Sequence, residues 1–277
     1  MKRILVPTDF STYAENALKA AAQIAKKNNS ELFLLHMLEL PSQMSDTITE
    51  GNSIPEVMFF IEKAREMLES IKERPYLNGI IVNESVLFES AFKGIIEFSK
   101  KNDIDLIIMG SRGLSGFEEI LIGSNTEKVV RHSEIPVLVI KKDTVEFKAE
   151  NIVFASDFSK EAKKPFKKLL KFAQIFDSTL NLVMICTPSS FKTTLVAEKF
   201  ISDFAANFDL KKFTSHIYND ANIEKGVINF SNSINADLIV MCTHNRTALS
   251  HFFNGSISED LVNHSNKPVI AFKVKNK

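Results

Sequence analysis

The chain has 277 residues, 44% of them apolar and 25% charged, the balance of a folded globular protein rather than a disordered or fibrous one. Thirty-four basic residues meet 34 acidic ones, so no global field recommends nucleic acid or a membrane surface as partner. No apolar run approaches the length of a bilayer span, and the chain is long enough for two domains with their own cores.

Ile4 to Val6 reads as a buried strand that stops at Pro7-Thr8-Asp9, too early for a secretory signal. Ser11 or Thr12 then caps a helix in which Ala14, Ala17, Leu18, Ala21, Ala22 and Ala25 recur at helical spacing, with Thr12 and Glu15 spaced as a capping box. Leu32 to Met37 is the next strand, with His36 near its end as a pocket-wall or core residue. Leu40 to Pro55, rich in Ser, Thr, Pro and Gly, reads as a mobile loop or lid. A helix from about Glu56 to Lys72, a strand from Ile80 to Leu87, a helix through Phe92, Ile95, Ile96 and Phe98, and the strand Asp105 to Met109 follow. After a glycine-rich loop come a helix carrying Thr126, Val129 and Val130 and the strand Val137 to Ile140. Five strands alternating with four helices predict a parallel, doubly wound sheet.

The pattern then repeats. Ile4-Leu5-Val6-Pro7-Thr8-Asp9-Phe10-Ser11 returns as Ile152-Val153-Phe154-Ala155-Ser156-Asp157-Phe158-Ser159, an offset of 148 residues. Asp105 to Met109 returns as Asp237 to Met241, and Gly123-Ser124 as Gly255-Ser256, at an offset of 132. The chain is an internal duplication, divided here as residues 1–147 and 148–277, and Leu40 to Pro55 accounts for the 16 residues by which the first copy is longer. The first part carries 17 basic and 22 acidic residues and the second 17 and 12, which favours their docking on each other.

The chemistry gathers at Gly110-Ser111-Arg112-Gly113, directly after a strand, and at Gly123-Ser124-Asn125, which opens a helix. Gly110 and Gly113 permit a sharp turn and a close approach of ligand to backbone, and a helix N-terminus presents unpaired N–H groups to an anion. Together they read as a phosphate cradle built from backbone, with an ordinary βα turn and a glycine-tolerant cap as the alternative. In a doubly wound sheet ligands bind beyond the carboxyl ends of the strands where the strand order reverses, so Asp9 and Gly110 are expected on two sides of one crevice. Asp9 reads there either as an acceptor for ribose hydroxyls or an adenine edge, or as a turn or helix N-cap residue.

These residues resemble the universal stress protein family in its tandem form, over nearly the full length. Gly110, two residues, Gly113, nine residues, then Gly123-Ser124 is the family's nucleotide motif in full spacing. The resemblance implies two five-stranded domains of the adenine nucleotide alpha hydrolase-like class, paired about a pseudo-twofold axis through their last strands, Val137 to Lys141 against Val269 to Lys273. It implies a stress-response regulatory protein that binds ATP or AMP, with or without Mg²⁺. Asp9 would hold the ribose or base with Pro7 and Thr8 lining the pocket. Met37 would meet adenine through its main chain and Gly110, after Met109, would approach the ribose. Arg112, Gly113, Gly123, Ser124 and Asn125 would surround the phosphates. The second copy departs from the motif at Cys242 and Asn245, which stand for the two loop glycines, so one competent site is expected.

No Walker lysine, Gly-x-Ser-x-Gly elbow or kinase signature occurs, so the nucleotide is expected to act as signal or structural ligand, with slow hydrolysis or a ligand-free interaction module as the alternatives. Cys186 and Cys242 read as free thiols of a cytoplasmic protein, and no His spacing suggests a metal site. His132 and His264 fall at equivalent helix C-termini, where positive charge suits the dipole. Lys160, Lys163, Lys164, Lys167, Lys168 and Lys171 form a stripe opposite Ala162, Phe166, Leu169, Leu170 and Ala173, read as a solvated face or a surface for an acidic partner, with Pro165 able to delay the helix.

Overall fold

The computed structural model describes residues 1–39, 54–113, 122–141, 146–244 and 255–274. The expected lid, apart from its last residues Ile54 and Pro55, and Asn245 therefore lie outside the described residues. The first repeat runs β1 (Arg3–Thr8), α1 (Thr12–Asn28), β2 (Glu31–Leu38), α2 (Ile54–Lys72), a 3₁₀ turn (Pro75–Leu77), β3 (Val82–Phe88), α3 (Ala91–Lys101), β4 (Leu106–Gly110), α4 (Ser124–His132) and β5 (Val137–Ile140). The second runs β6 (Asn151–Ala155), α5 (Lys163–Phe176), β7 (Thr179–Cys186), α6 (Thr194–Ala205), β8 (Phe213–Asn219), α7 (Ile223–Ser233), β9 (Leu238–His244), α8 (Gly255–His264) and β10 (Val269–Val274).

The strands form one sheet in the order β3-β2-β1-β4-β5-β10-β9-β6-β7-β8. Pairing is parallel within each repeat, and antiparallel where β5 meets β10, with Val139 opposite Val269 and Val137 opposite Ala271. Each of these two strands would otherwise be an apolar edge, and pairing removes the edge. The inner strands β1, β4, β5, β6 and β10 are buried on both faces, which is why they read as continuous apolar runs, whereas the edge strands β3 and β8 carry no fully buried residue. Side chains of α1, α2, α5 and α6 pack into the core on one face, and those of α3, α4, α7 and α8 into the core on the other.

The duplication is also written in the backbone. Positive φ occurs at Phe10 and Phe158, at Asn29 and Asp177, and at Asp103 and Asn235, each pair at equivalent places. Asn and Asp tolerate the left-handed region; the two Phe residues are held there by the turn before them. Phe10 N–H donates to Thr8 Oγ1 (3.1 Å) and Ser11 N–H to Asp9 Oδ1 (3.1 Å); Phe158 and Ser159 repeat both bonds on Ser156 and Asp157.

Local details correct parts of the sequence reading. Ser11 alone caps α1, accepting from Ala14 N–H at 3.2 Å. The Thr12–Glu15 capping box is not made, because Glu15 accepts from Arg74 (2.6 Å) and Tyr76 (2.7 Å) beyond α2. The third strand begins at Val82 rather than Ile80, after the 3₁₀ turn has delivered Leu77 to the core. Helix α5 starts at Lys163, three residues later than its counterpart, with Pro165 in its first turn as the ring requires. Leu170 is half-buried rather than fully inside, while most of the lysine stripe is exposed. The second repeat fills its core with rings: Phe154, Phe166 and Phe204 are fully buried or nearly so and lie within 4.8 to 6.2 Å of one another, where the first repeat has Val6 and Leu18 at the first two places.

Candidate functional site

Strand order reverses between β1 and β4: β1 is followed along the sheet by β2 on one side and β4 on the other. At their carboxyl ends opens a cavity of about 330 Å³, within the range of small-molecule sites. Pro7 and Thr8 line it from β1 and Asp9 from the turn after it, Met37 from β2, Met109 and Gly110 from β4, and Arg112, Gly113, Gly123, Ser124 and Asn125 from the loop and the start of α4. The residues expected from the resemblance to surround a nucleotide thus all border one space.

The loop ends are drawn together by backbone bonds. Ser111 N–H donates to Ile140 C=O, Gly123 N–H to Ser111 C=O, both at 2.9 Å, and Thr126 Oγ1 to Gly110 C=O at 3.0 Å. Gly123 is the N-cap of α4, whose first turn leaves the N–H groups of Ser124, Asn125 and Thr126 without partners inside the helix. All three residues line the cavity, as does Arg112, so the partial positive charge of the helix start faces it. The wall can bind an anion through backbone donors.

The glycines differ in what they do. A Cβ on Gly110 would stand 2.6 Å from the Tyr13 carbonyl oxygen, so glycine there lets α1 lie against β4. This packing, rather than approach of a ligand, is the visible demand at Gly110. A Cβ on Gly113 would collide with Asp9 Oδ2, so Gly113 makes room for the carboxylate. Asp9 is a turn residue, through Oδ1, as one of its two readings expected, and it also lines the cavity. A Cβ on Gly123 would meet nothing closer than 3.5 Å.

Sequence reasoning missed other walls: Ala14, Leu35, Glu39, Ala91, Ile95 and Thr126. Glu39 Oε1 accepts the Ala91 N–H at 2.8 Å and so caps α3, where Ser90 makes no side-chain cap. Gly94 was also passed over: a Cβ there would collide with the Met37 side chain, and Gly226 stands in the same way against Ile185. The signal was present, since these two pairs recur at the offsets of the duplication. His36 lies outside the cavity lining; its Nδ1 bonds the Thr8 carbonyl at 2.8 Å and its ring packs on Phe10. At His132, burial, then Lys273 and Arg131, push the imidazole pKa down, so the expected dipole-stabilised charge is opposed there; His264 instead meets Glu224 at 2.5 Å.

In the second repeat β9 continues to His244, pairing Thr243 with Lys273 and His244 with Val274, where β4 stops and the first repeat turns. Cys242 sits within this strand, 1% exposed, and burial with the nearby Asp157 carboxylate pushes its thiol pKa far up, so it is no nucleophile. Among the described residues no three His, Cys, Asp or Glu side chains gather to hold a metal ion, and no helix is long and apolar enough to cross a membrane.

Comparison with known proteins agrees with this architecture. The profile of the universal stress protein family matches residues 1–141 and again residues 148–273. A universal stress protein of Methanocaldococcus jannaschii is 33% identical over 141 residues, covering 51% of this chain and 82% of that protein. One of Synechocystis is 23% identical along 99% of this chain and 100% of its own length. A crystal structure of a universal stress protein from Archaeoglobus fulgidus superposes with a TM-score of 0.74 at 25% identity, covering 99% of this chain and 97% of that one. The chain belongs to the universal stress protein family, as a tandem of two such domains in one polypeptide.

Proposed function

We propose that the first repeat binds an adenine nucleotide, ATP or AMP, and that this ligand acts as a signal or structural element in a stress-response regulatory protein of the cytoplasm. The observation that carries the reading is the convergence of Asp9, Gly113, Gly123 and the open first turn of α4 on one cavity at the switch point of the sheet. In this reading Asp9 accepts from ribose or base, Pro7, Thr8 and Met109 wall the adenosine, and the Met37 main chain faces adenine. Backbone N–H groups from Gly113 and from Ser124 to Thr126, with Arg112, receive the phosphates. A bound nucleotide would supply the negative charge that this wall compensates. Mg²⁺ would arrive on the phosphates, since this cation commonly needs few protein ligands.

Turnover finds little support. Of the carboxylates on the cavity, Asp9 holds the Ser11 N–H and Glu39 the Ala91 N–H, so both are engaged in building the site. Residues 1–147 serve as the binding domain and residues 148–277 as its structural partner, in which β9 runs two residues past the place where β4 ends. The test is to denature freshly purified protein and identify released nucleotide by chromatography and mass spectrometry. About one adenine nucleotide per chain is the expected result. None released, with no binding of added ATP and Mg²⁺, would overturn the reading in favour of an interaction module.

A further inference from the structure

Antiparallel pairing of β5 with β10 brings α4 and α8 side by side across the seam between the repeats. Ties across this seam come as related pairs. Lys141 donates to the Val262 carbonyl of α8, and Lys273, 132 residues later, donates to the His132 carbonyl of α4 at 3.2 Å. A further tie among the described residues is not of this kind. The Ile122 N–H donates to Asn263 Oδ1 at 2.8 Å, reaching from the glycine loop of the first repeat to the last turn of α8. The place of Asn263 in the first repeat is held by Arg131, which has donors only and forms an ion pair with Glu259 at 3.4 Å. A guanidinium cannot accept an N–H, so the first repeat cannot offer the second the same support.

Ile122 precedes Gly123, the N-cap of α4 and a wall of the cavity. The residue is 9% exposed, and its N–H lies before the helix, outside any ladder. The next N–H, of Gly123, is fixed on Ser111 of its own repeat. Two consecutive amides at the mouth of the site are therefore held from opposite sides, one by each repeat. We propose that the second repeat completes the first repeat's site, with Asn263 as the positioning residue that sets the loop entering α4. This inference rests on the nucleotide reading of that cavity, and it gives the repeat that lost its own motif a direct part in binding.

The test uses the full chain with Asn263→Ala, which removes the acceptor, and Asn263→Asp, which keeps it. Calorimetric titration with ATP and Mg²⁺ is expected to give roughly five- to tenfold weaker binding for Asn263→Ala, the order of one lost hydrogen bond to a shielded group. Asn263→Asp is expected to bind within about twofold of the wild type on the same ground. Hydrogen exchange at the Ile122 amide, without ligand, should quicken in the first variant and stay near wild type in the second, while melting curves check the fold. Wild-type affinity in Asn263→Ala, or equal weakening in both variants, would overturn the role of Asn263. A wild-type chain that binds neither ATP nor AMP would instead overturn the nucleotide reading, and the binding role of Asn263 with it.

Discussion

Asp9 and Gly113 share one space: the carboxylate oxygen Oδ2 fills the room that a Cβ on Gly113 would take, while Oδ1 is fixed on the Ser11 N–H. The glycine of the loop and the acid of the first strand are thus a pair, and a side chain at 113 must push the acid aside. Gly113→Val is expected to weaken ATP binding at least tenfold, about 1.4 kcal/mol, with little change in melting temperature. Calorimetric titration beside thermal melting checks this, and undiminished affinity would contradict it.

Gly110 and Gly123 should respond to different degrees. Alanine at 110 meets the Tyr13 carbonyl oxygen at 2.6 Å and its carbon at 2.7 Å, and backbone atoms cannot rotate away. Gly110→Ala is expected to cost about 1–3 kcal/mol, as overpacking does. Gly123 has φ −63° and a Cβ there would make only ordinary contact, 3.5 Å from its nearest neighbour, so Gly123→Ala should cost only about 1 kcal/mol or less, through the poorer helix cap. Urea unfolding of the two variants ranks them, and equal losses would refute the distinction.

Lys141 makes the seam pH-sensitive. Burial, and then the neighbouring Arg112 charge, lower its pKa from 10.5 to about 8. Between these values the unfolded chain holds a proton that the folded chain has lost, so stability rises with pH across that window. Below about pH 8 both forms are charged and the unfavourable contribution is constant. The urea midpoint of the wild type, relative to Lys141→Met, should therefore climb between pH 8 and 10.5. A flat difference would show that the ammonium is not penalised in the fold.

Phe166 stands among Phe154, Phe204 and Phe208, with ring centroids 4.7 to 5.0 Å away and no exposure of its own. Phe166→Ala should cost about 3–5 kcal/mol, from lost burial and the cavity left behind. Chemical denaturation measures it. A cost under about 1 kcal/mol would mean that the neighbouring rings collapse into the space.

The sheet is legible in the sequence because its strands are uninterrupted apolar runs and because the same run returns at a fixed distance. Leu106 to Met109 and Leu238 to Met241 announce each other, and the spacing of Gly110, Gly113 and Gly123 marks the end of the sheet where the cavity lies. Contacts between distant residues leave no such trace. Thr12 and Glu15 have the spacing of a capping box, yet Glu15 has partners 59 and 61 residues away that local spacing cannot reveal. Glu39 caps a helix 52 residues downstream, and Asn263 reaches Ile122 across 141. Ile80 and Ile81 look like a strand by composition, but the 3₁₀ turn before them shifts the start to Val82 and leaves Ile81 64% exposed. What the sequence hides is the tertiary partner that outbids the local one.

The pairing of β5 with β10 also sets a timetable for the ribosome. Val137–Ile140 is made about 130 residues before Val269–Val274, which at synthesis rates of roughly 5–20 residues per second is a delay on the order of ten seconds. For that interval the nascent first repeat has four of its strands beside one another and an apolar fifth with its outer edge open. The partner that closes this edge is still unsynthesised, and a second ribosome on the same message carries an identical open edge nearby. Joining the repeats in one chain makes the correct partner arrive tethered, at a fixed place and time, in competition with that neighbour.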